Sequence, residues 1–119
     1  LANLGDGNNV LTAGNGIDEV HAGGGDNNIV TVSGEDVVTA GNGNNVIAVG
    51  DNSADLIQAG DGDNSIDFPT AAHVTLGEGN NFVRQDGPGV GRGTFYFSVL
   101  FRFVARSGHV YQTRFGAAR

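Results

Sequence analysis

The chain has 119 residues, room for one domain, with 21 glycines, 13 asparagines and no lysine, cysteine, methionine or tryptophan. So much Gly and Asn among so few helix formers argues against a helical protein, and the lack of cysteine excludes a disulfide framework. The net charge of -7 conceals a split: all 13 acids lie between Asp6 and Asp86, and all six arginines between Arg84 and Arg119.

From the first residues the chain keeps a nine-residue beat. Gly5, Gly14, Gly23, Gly41, Gly50, Gly60 and Gly77 each open a short polar turn, and each turn leads into a brief apolar triplet. The central aliphatic falls at Leu11, Val20, Ile29, Val38, Ile47, Ile57, Ile66, Val74 and Val83, with one extra residue near Ala54 and one missing near Pro69. Two residues before each aliphatic stands a polar position that reads Asn9, Asp18, Asn27, Asp36, Asn45, Asp55, Asn64, Ala72, Asn81. The alternation of Asn with Asp makes the true repeat 18 residues, built from two unlike halves.

A triplet such as Val10-Leu11-Thr12 predicts a short strand with Leu11 inward and its neighbours outward. Gly, Asn and Asp tolerate the left-handed backbone that the intervening turns need. Two strands and two turns make one coil, and the coils stack about 4.8 Å apart. The expected fold is therefore all-β: a right-handed parallel β-roll of 18-residue coils over 1–86. Leu11, Ile29, Ile47, Ile66 and Val83 would line one sheet and Val20, Val38, Ile57 and Val74 the other, flanked by small Ala13, Ala22, Ala40 and Ala59. One large residue per nine makes a thin core, which does not by itself offset a backbone ordering cost of about 1–2 kcal/mol per residue.

Stacking puts Asp18, Asp36 and Asp55 on one edge. Unit charges about 4.8 Å apart repel by about 3.5 kcal/mol at an effective dielectric of about 20, so bare carboxylates oppose stacking and a divalent cation between coils reverses the sign. Ca2+ suits best, because it takes carboxylate and carbonyl oxygens in flexible geometry, whereas the three His (His21, His73, His109) have no zinc-ligand spacing. On the opposite edge the uncharged Asn9, Asn27, Asn45, Asn64 and Asn81 form a ladder that needs no metal. Weaker metal sites are expected in the turns of that edge around Asp61, Asp63 and Glu78.

The unit Ala13-Gly14-Asn15-Gly16-Ile17-Asp18-Glu19-Val20-His21 resembles the nonapeptide Gly-Gly-x-Gly-x-Asp-x-aliphatic-x of the repeats-in-toxin family, the hemolysin-type calcium-binding repeats. Units such as Ala40-Gly41-Asn42-Gly43-Asn44-Asn45-Val46-Ile47-Ala48 match with Asn in place of Asp, and the resemblance covers roughly residues 3–86. It implies a parallel β-roll that binds Ca2+ between turns, folds when calcium is met outside the cell, and is exported by type I secretion. It further implies Asp18, Asp36 and Asp55 as liganding carboxylates, with carbonyls from Gly14, Gly16 and Gly34. Val32-Ser33 replaces a Gly pair, Asp51-Asn52-Ser53-Ala54 carries an insertion, and Pro69-Thr70-Ala71-Ala72 has lost the glycine turn, so one or two ions are expected on the Asp edge.

After Gly87-Pro88-Gly89-Val90-Gly91-Arg92-Gly93 the composition changes, and 87–119 is read as a linker and aromatic cap. Phe95, Phe97, Val99, Phe101 and Phe103 alternate with Tyr96, Ser98, Leu100 and Arg102, a strand pattern that Ser107-Gly108 would fold back onto Val110–Phe115 as a hairpin. Covering the solenoid end is its expected role; contact with a partner, self-association, or a terminus foreign to the roll are alternatives.

No nucleophile–base–carboxylate constellation is legible: Ser33, Ser53, Ser65 and Ser98 lie in the repeats or a strand, and His21 beside Glu19 reads as a solvated surface residue. An enzyme is not expected. Spread-out arginines beside an acidic body speak against nucleic acid, and the absence of an apolar run of about 18 residues against a membrane span. An irregular outward array counts against ice binding. The chain opens mid-pattern at Leu1, so it is read as a piece of a longer protein. The expected function is a calcium-binding β-roll module of an extracellular, secreted protein. The alternatives are the repeat segment of a larger secreted enzyme or toxin, or a metal-free structural or adhesive solenoid.

Overall fold

The computed structural model describes residues 1–50, 54–69 and 71–85, together with strands at 96–99, 103–105, 113–114 and 117–118. Every regular element among them is a strand: β1 (Ala2–Leu4), β2 (Val10–Thr12), β3 (Glu19–Ala22), β4 (Asn28–Thr31), β5 (Val37–Ala40), β6 (Val46–Val49), β7 (Ala54–Ala59), β8 (Ser65–Phe68), β9 (Ala71–Leu76), β10 (Asn81–Gln85), β11 (Tyr96–Val99), β12 (Phe103–Ala105), β13 (Thr113–Arg114) and β14 (Ala117–Ala118). Odd-numbered strands build one sheet in the order β1-β3-β5-β7-β9-β11-β13, with β14 at its end, and β2 to β12 build the other. Each strand pairs in parallel with the strand one coil further on, so the chain winds as a parallel β-solenoid.

The register follows the period in the sequence. Leu11, Ile29, Ile47, Ile66 and Val83 stand opposite one another along one sheet. Val20, Val38, Ile57 and Val74 do the same along the other. From Val20 onward these residues are almost wholly buried, whereas Leu11, in the outermost coil of its sheet, is only partly buried against them. The columns stay aligned across the insertion and the deletion in the sequence: Asn45 meets Asn64 across 19 residues and Asn64 meets Asn81 across 17.

The core is fuller than one large residue per nine. Strand residues two places beyond each central aliphatic also point inward, and there the small Ala22, Ala40 and Ala59 give way to Val49, Phe68, Leu76 and Gln85, all buried. Large side chains in this second column fill the roll toward its C-terminal coils, which is where the glycine turn is replaced by Pro69. Dense packing of this kind replaces water contact with dispersion contact on every side.

Stacking, and not the turn alone, explains the glycines. Gly25 has a φ of 119°, and a Cβ there would lie 2.5 Å from the carbonyl oxygen of Gly7 in the coil before. Its neighbour Gly24 has no such restriction, its nearest contact being 3.7 Å away. The same positive φ recurs at Gly16 and Gly34 on the Asp edge and at Gly43, Gly62 and Gly79 on the Asn edge.

In the tail, β11 adds in parallel to β9, and β12 in parallel to β10, so both sheets continue beyond residue 86. The expected antiparallel hairpin is corrected here: Val99 faces Arg114 in a parallel pair, and the antiparallel pairing lies between β13 and β14. The open edges of β9 and β10 present unpaired N–H and C=O groups in parallel register, which a following strand satisfies by extending the sheet. The proposed turn at Ser107-Gly108 lies outside the described residues.

Candidate metal centre

Asp18, Asp36 and Asp55 form a column along one edge. Asp36 Oδ1 accepts the backbone N–H of Asp18 at 2.9 Å, and Asp55 Oδ1 accepts that of Asp36 at 2.9 Å. Asp36 and Asp55 therefore each use one oxygen to tie their coil to the coil before. Asp36 and Asp55 are buried, at 2% and 4% exposure. Asp18 Oδ2 is sealed from solvent and has no hydrogen-bond partner among the described residues. A buried acceptor left without a donor costs about 1–3 kcal/mol, more for a charged group, so this atom asks for a cation or a donor.

The Asn edge shows what the free atom would face. Asn9 Oδ1 has an Asp counterpart in Asp18, and Asn9 Nδ2 corresponds to Asp18 Oδ2. Asn9 Nδ2 donates to the carbonyls of Gly5 and Gly7, both at 2.9 Å, and to Asn27 Oδ1 at 2.8 Å. Asn27 repeats the set with Gly23, Gly25 and Asn45 Oδ1. Asn45 repeats it with Gly41, Gly43 and Asn64 Oδ1. The turn carbonyls always lie four and two residues before the Asn, and the third oxygen belongs to the next coil.

The two edges share their turn geometry. Gly16 N–H donates to the Ser33 carbonyl at 2.7 Å, as Gly7 N–H donates to that of Gly24 at 2.7 Å and Gly25 N–H to that of Asn42 at 2.8 Å. Gly16 and Gly34 have φ of 107° and 123°, beside 108° and 119° for Gly7 and Gly25. In this shared register the positions four and two residues before Asp18 are Gly14 and Gly16, those before Asp36 are Val32 and Gly34, and the carboxylates of the next coil are Asp36 and Asp55. Carboxylate and backbone oxygens without nitrogen or sulfur are the donor set of a hard cation such as Ca2+. Among the described residues no three His, Cys, Asp or Glu side chains converge on a point.

Asp61 and Asp63 lie on the Asn edge, apart from this column, and are exposed. Asp61 Oδ1 accepts the N–H of Glu78 and Asp63 Oδ1 that of Asn80, each at 2.8 Å. They belong to two outer ladders that the sequence reading missed. One runs through Asp6, Asn42 and Asp61, and the other through Asn8, Asp26, Asn44 and Asp63, each side chain capping a backbone N–H of the next coil. The signal was in the sequence as Asp or Asn recurring three and one residues before the edge Asn. On the Asp edge the places before Asp18 and Asp36 hold Asn15, Ile17, Ser33 and Glu35, and Ser33 Oγ donates to Asn15 Oδ1 at 2.9 Å.

On the sheet faces, His21 pairs with Glu19 at 2.9 Å and Arg84 with Asp67, both pairs partly solvated. No helix among the described residues is long and apolar enough to cross a membrane.

The family model for the RTX calcium-binding nonapeptide repeat (4 copies) matches residues 4–37, 21–51 and 49–67. No curated protein and no solved structure matches the chain. The matched segments together span more than half of the 119 residues, and they coincide with the stacked turns that carry both Asx columns. The chain belongs to the RTX calcium-binding nonapeptide repeat family.

Proposed function

We propose that this chain is a calcium-binding module of a secreted protein in which Ca2+ closes the Asp edge of the roll. The observation that carries this reading is the buried, donorless Asp18 Oδ2, in the place where the equivalent Asn nitrogen donates to three oxygens. Asp18, Asp36 and the carbonyls of Gly14 and Gly16 would hold one ion. Asp36, Asp55 and the carbonyls of Val32 and Gly34 would hold another. Bound there, Ca2+ supplies the positive charge that offsets carboxylate repulsion between coils. The chain's own part is to fix Asp36 and Asp55 by one oxygen each to the backbone of the preceding coil.

Affinity should be modest. With two carboxylates per site, charge count favours the range of about 10⁻⁴–10⁻³ M found in extracellular modules. A module of this kind acts as a structural element whose rigidity depends on external calcium, with no catalytic role of its own.

The test is far-ultraviolet circular dichroism and calorimetry during calcium titration of chelator-treated protein, with magnesium as control. A calcium-specific gain in β signal or melting temperature with measurable binding heat is expected. No binding heat at millimolar calcium would sink the reading and leave a metal-free solenoid.

A further inference from the structure

The Asn column is more than an uncharged version of the Asp column. The Nδ2 of Asn9, Asn27, Asn45 and Asn64 each sits among three oxygens: for Asn45 the carbonyls of Gly41 and Gly43 at 3.0 Å and Asn64 Oδ1 at 2.9 Å. Two of these oxygens come from its own turn and one from the next coil, so the amide joins coils as an ion shared between turns would. Its two N–H groups carry partial positive charge and point at a nest of acceptors. The arrangement is buried: Asn27, Asn45, Asn64 and Asn81 are all at or below 1% exposure. Replacing Nδ2 by an oxygen would leave only acceptors facing one another, which a cation or an added donor relieves.

We propose that the side-chain amide of each edge Asn occupies the position of a cation, so that one edge of the roll is closed without metal and calcium governs only the other. The role given to calcium rests on the reading above; the role given to the amide does not. On this view calcium withdrawal loosens the Asp edge while the Asn edge keeps the coils stacked. Besides the amides, the Asn edge has its two outer ladders, and the Asp edge has no comparable pair among the described residues. The module would thus respond to calcium by stiffening a pre-stacked roll, and would not fold from a fully unstructured chain.

Two double variants of the full chain test this. In chelator, D18N/D36N is expected to melt above the wild type by about 5 °C or more, because amide donors now face the turn carbonyls. N27D/N45D is expected to melt below the wild type in chelator and, by calorimetry, to bind about one calcium ion more per chain. The proposal is overturned if D18N/D36N melts no higher than the wild type in chelator, or if a folded N27D/N45D gains no calcium. Should N27D/N45D not fold in either condition, D18N/D36N decides alone. Absence of calcium binding by the wild type would defeat the functional reading only, since the chelator measurement on D18N/D36N needs no metal.

Discussion

Replacing Asn45 by alanine removes a side chain that is fully buried, at 0% exposure. Three donor bonds disappear, to Gly41 O at 3.0 Å, Gly43 O at 3.0 Å and Asn64 Oδ1 at 2.9 Å. Two acceptor bonds go with them, from Asn27 N at 3.1 Å and Asn27 Nδ2 at 2.9 Å. At about 0.5–1.5 kcal/mol for each buried bond, the loss comes to about 3–7 kcal/mol, a large part of the stability of a small domain. The neighbouring Asn44 supplies the control. It is exposed, and its Oδ1 caps only the Asp63 N–H at 2.8 Å, so Asn44→Ala should cost about 0.5–1 kcal/mol. Urea unfolding in chelator, followed by circular dichroism, compares the two without any contribution from metal. A stacked array unfolds by neighbouring coils, so amide exchange at Asn27, whose N–H loses its acceptor, is the second readout. If Asn45→Ala is no more destabilising than Asn44→Ala, the Asn ladder does not hold the coils together and the reasoning fails.

Three further outcomes are expected. Gly25→Ala, at a φ of 119° and with its Cβ 2.5 Å from Gly7 O, should lower stability by more than about 1 kcal/mol, while Gly24→Ala beside it should be nearly silent; equal melting temperatures would contradict the stacking argument. Asp36 lies in both proposed oxygen sets and Asp18 in one, so Asp36→Asn should abolish more calcium binding than Asp18→Asn; calorimetric stoichiometries in the reverse order would exclude the shared-ligand arrangement. Ile47→Ala, at 0% exposure, should cost about 2–5 kcal/mol, against less than about 0.5 kcal/mol for Val46→Ala on the outer face at 48%, as read from denaturant midpoints.

Much of this molecule was legible before its structure. The period placed Leu11, Ile29, Ile47, Ile66 and Val83 in one column and Val20, Val38, Ile57 and Val74 in another, and the registers agree. The column of Asp18, Asp36 and Asp55 followed from the same count. The alanines beside the central aliphatics were foreseen, but not the larger Val49, Phe68 and Leu76 that fill the same column in later coils, where the repeat is least regular. The tail's alternation correctly announced strands but not their partners, since a period-two pattern says which residues share a face and nothing about which edge receives the strand.

What the sequence determined by itself is everything that recurs at a fixed interval: the coil, its two edges, the inward residues and the change from Asn to Asp at one position. Such features are one-dimensional, and counting recovers them. The tertiary structure alone decided the contacts made between coils. Which oxygen of Asp36 meets the Asp18 backbone, which atom of Asn9 meets Gly5 and Gly7, and why Gly25 cannot carry a Cβ while Gly24 can, all depend on atoms 18 residues apart in the chain or on the shape of a single turn. In their inner columns the two edges differ at one atom of the repeated side chain, a nitrogen where the other has an oxygen. Only when the turns are stacked does that atom acquire its neighbours, and with them the chemical difference between an edge closed by hydrogen bonds and one that calls for a cation.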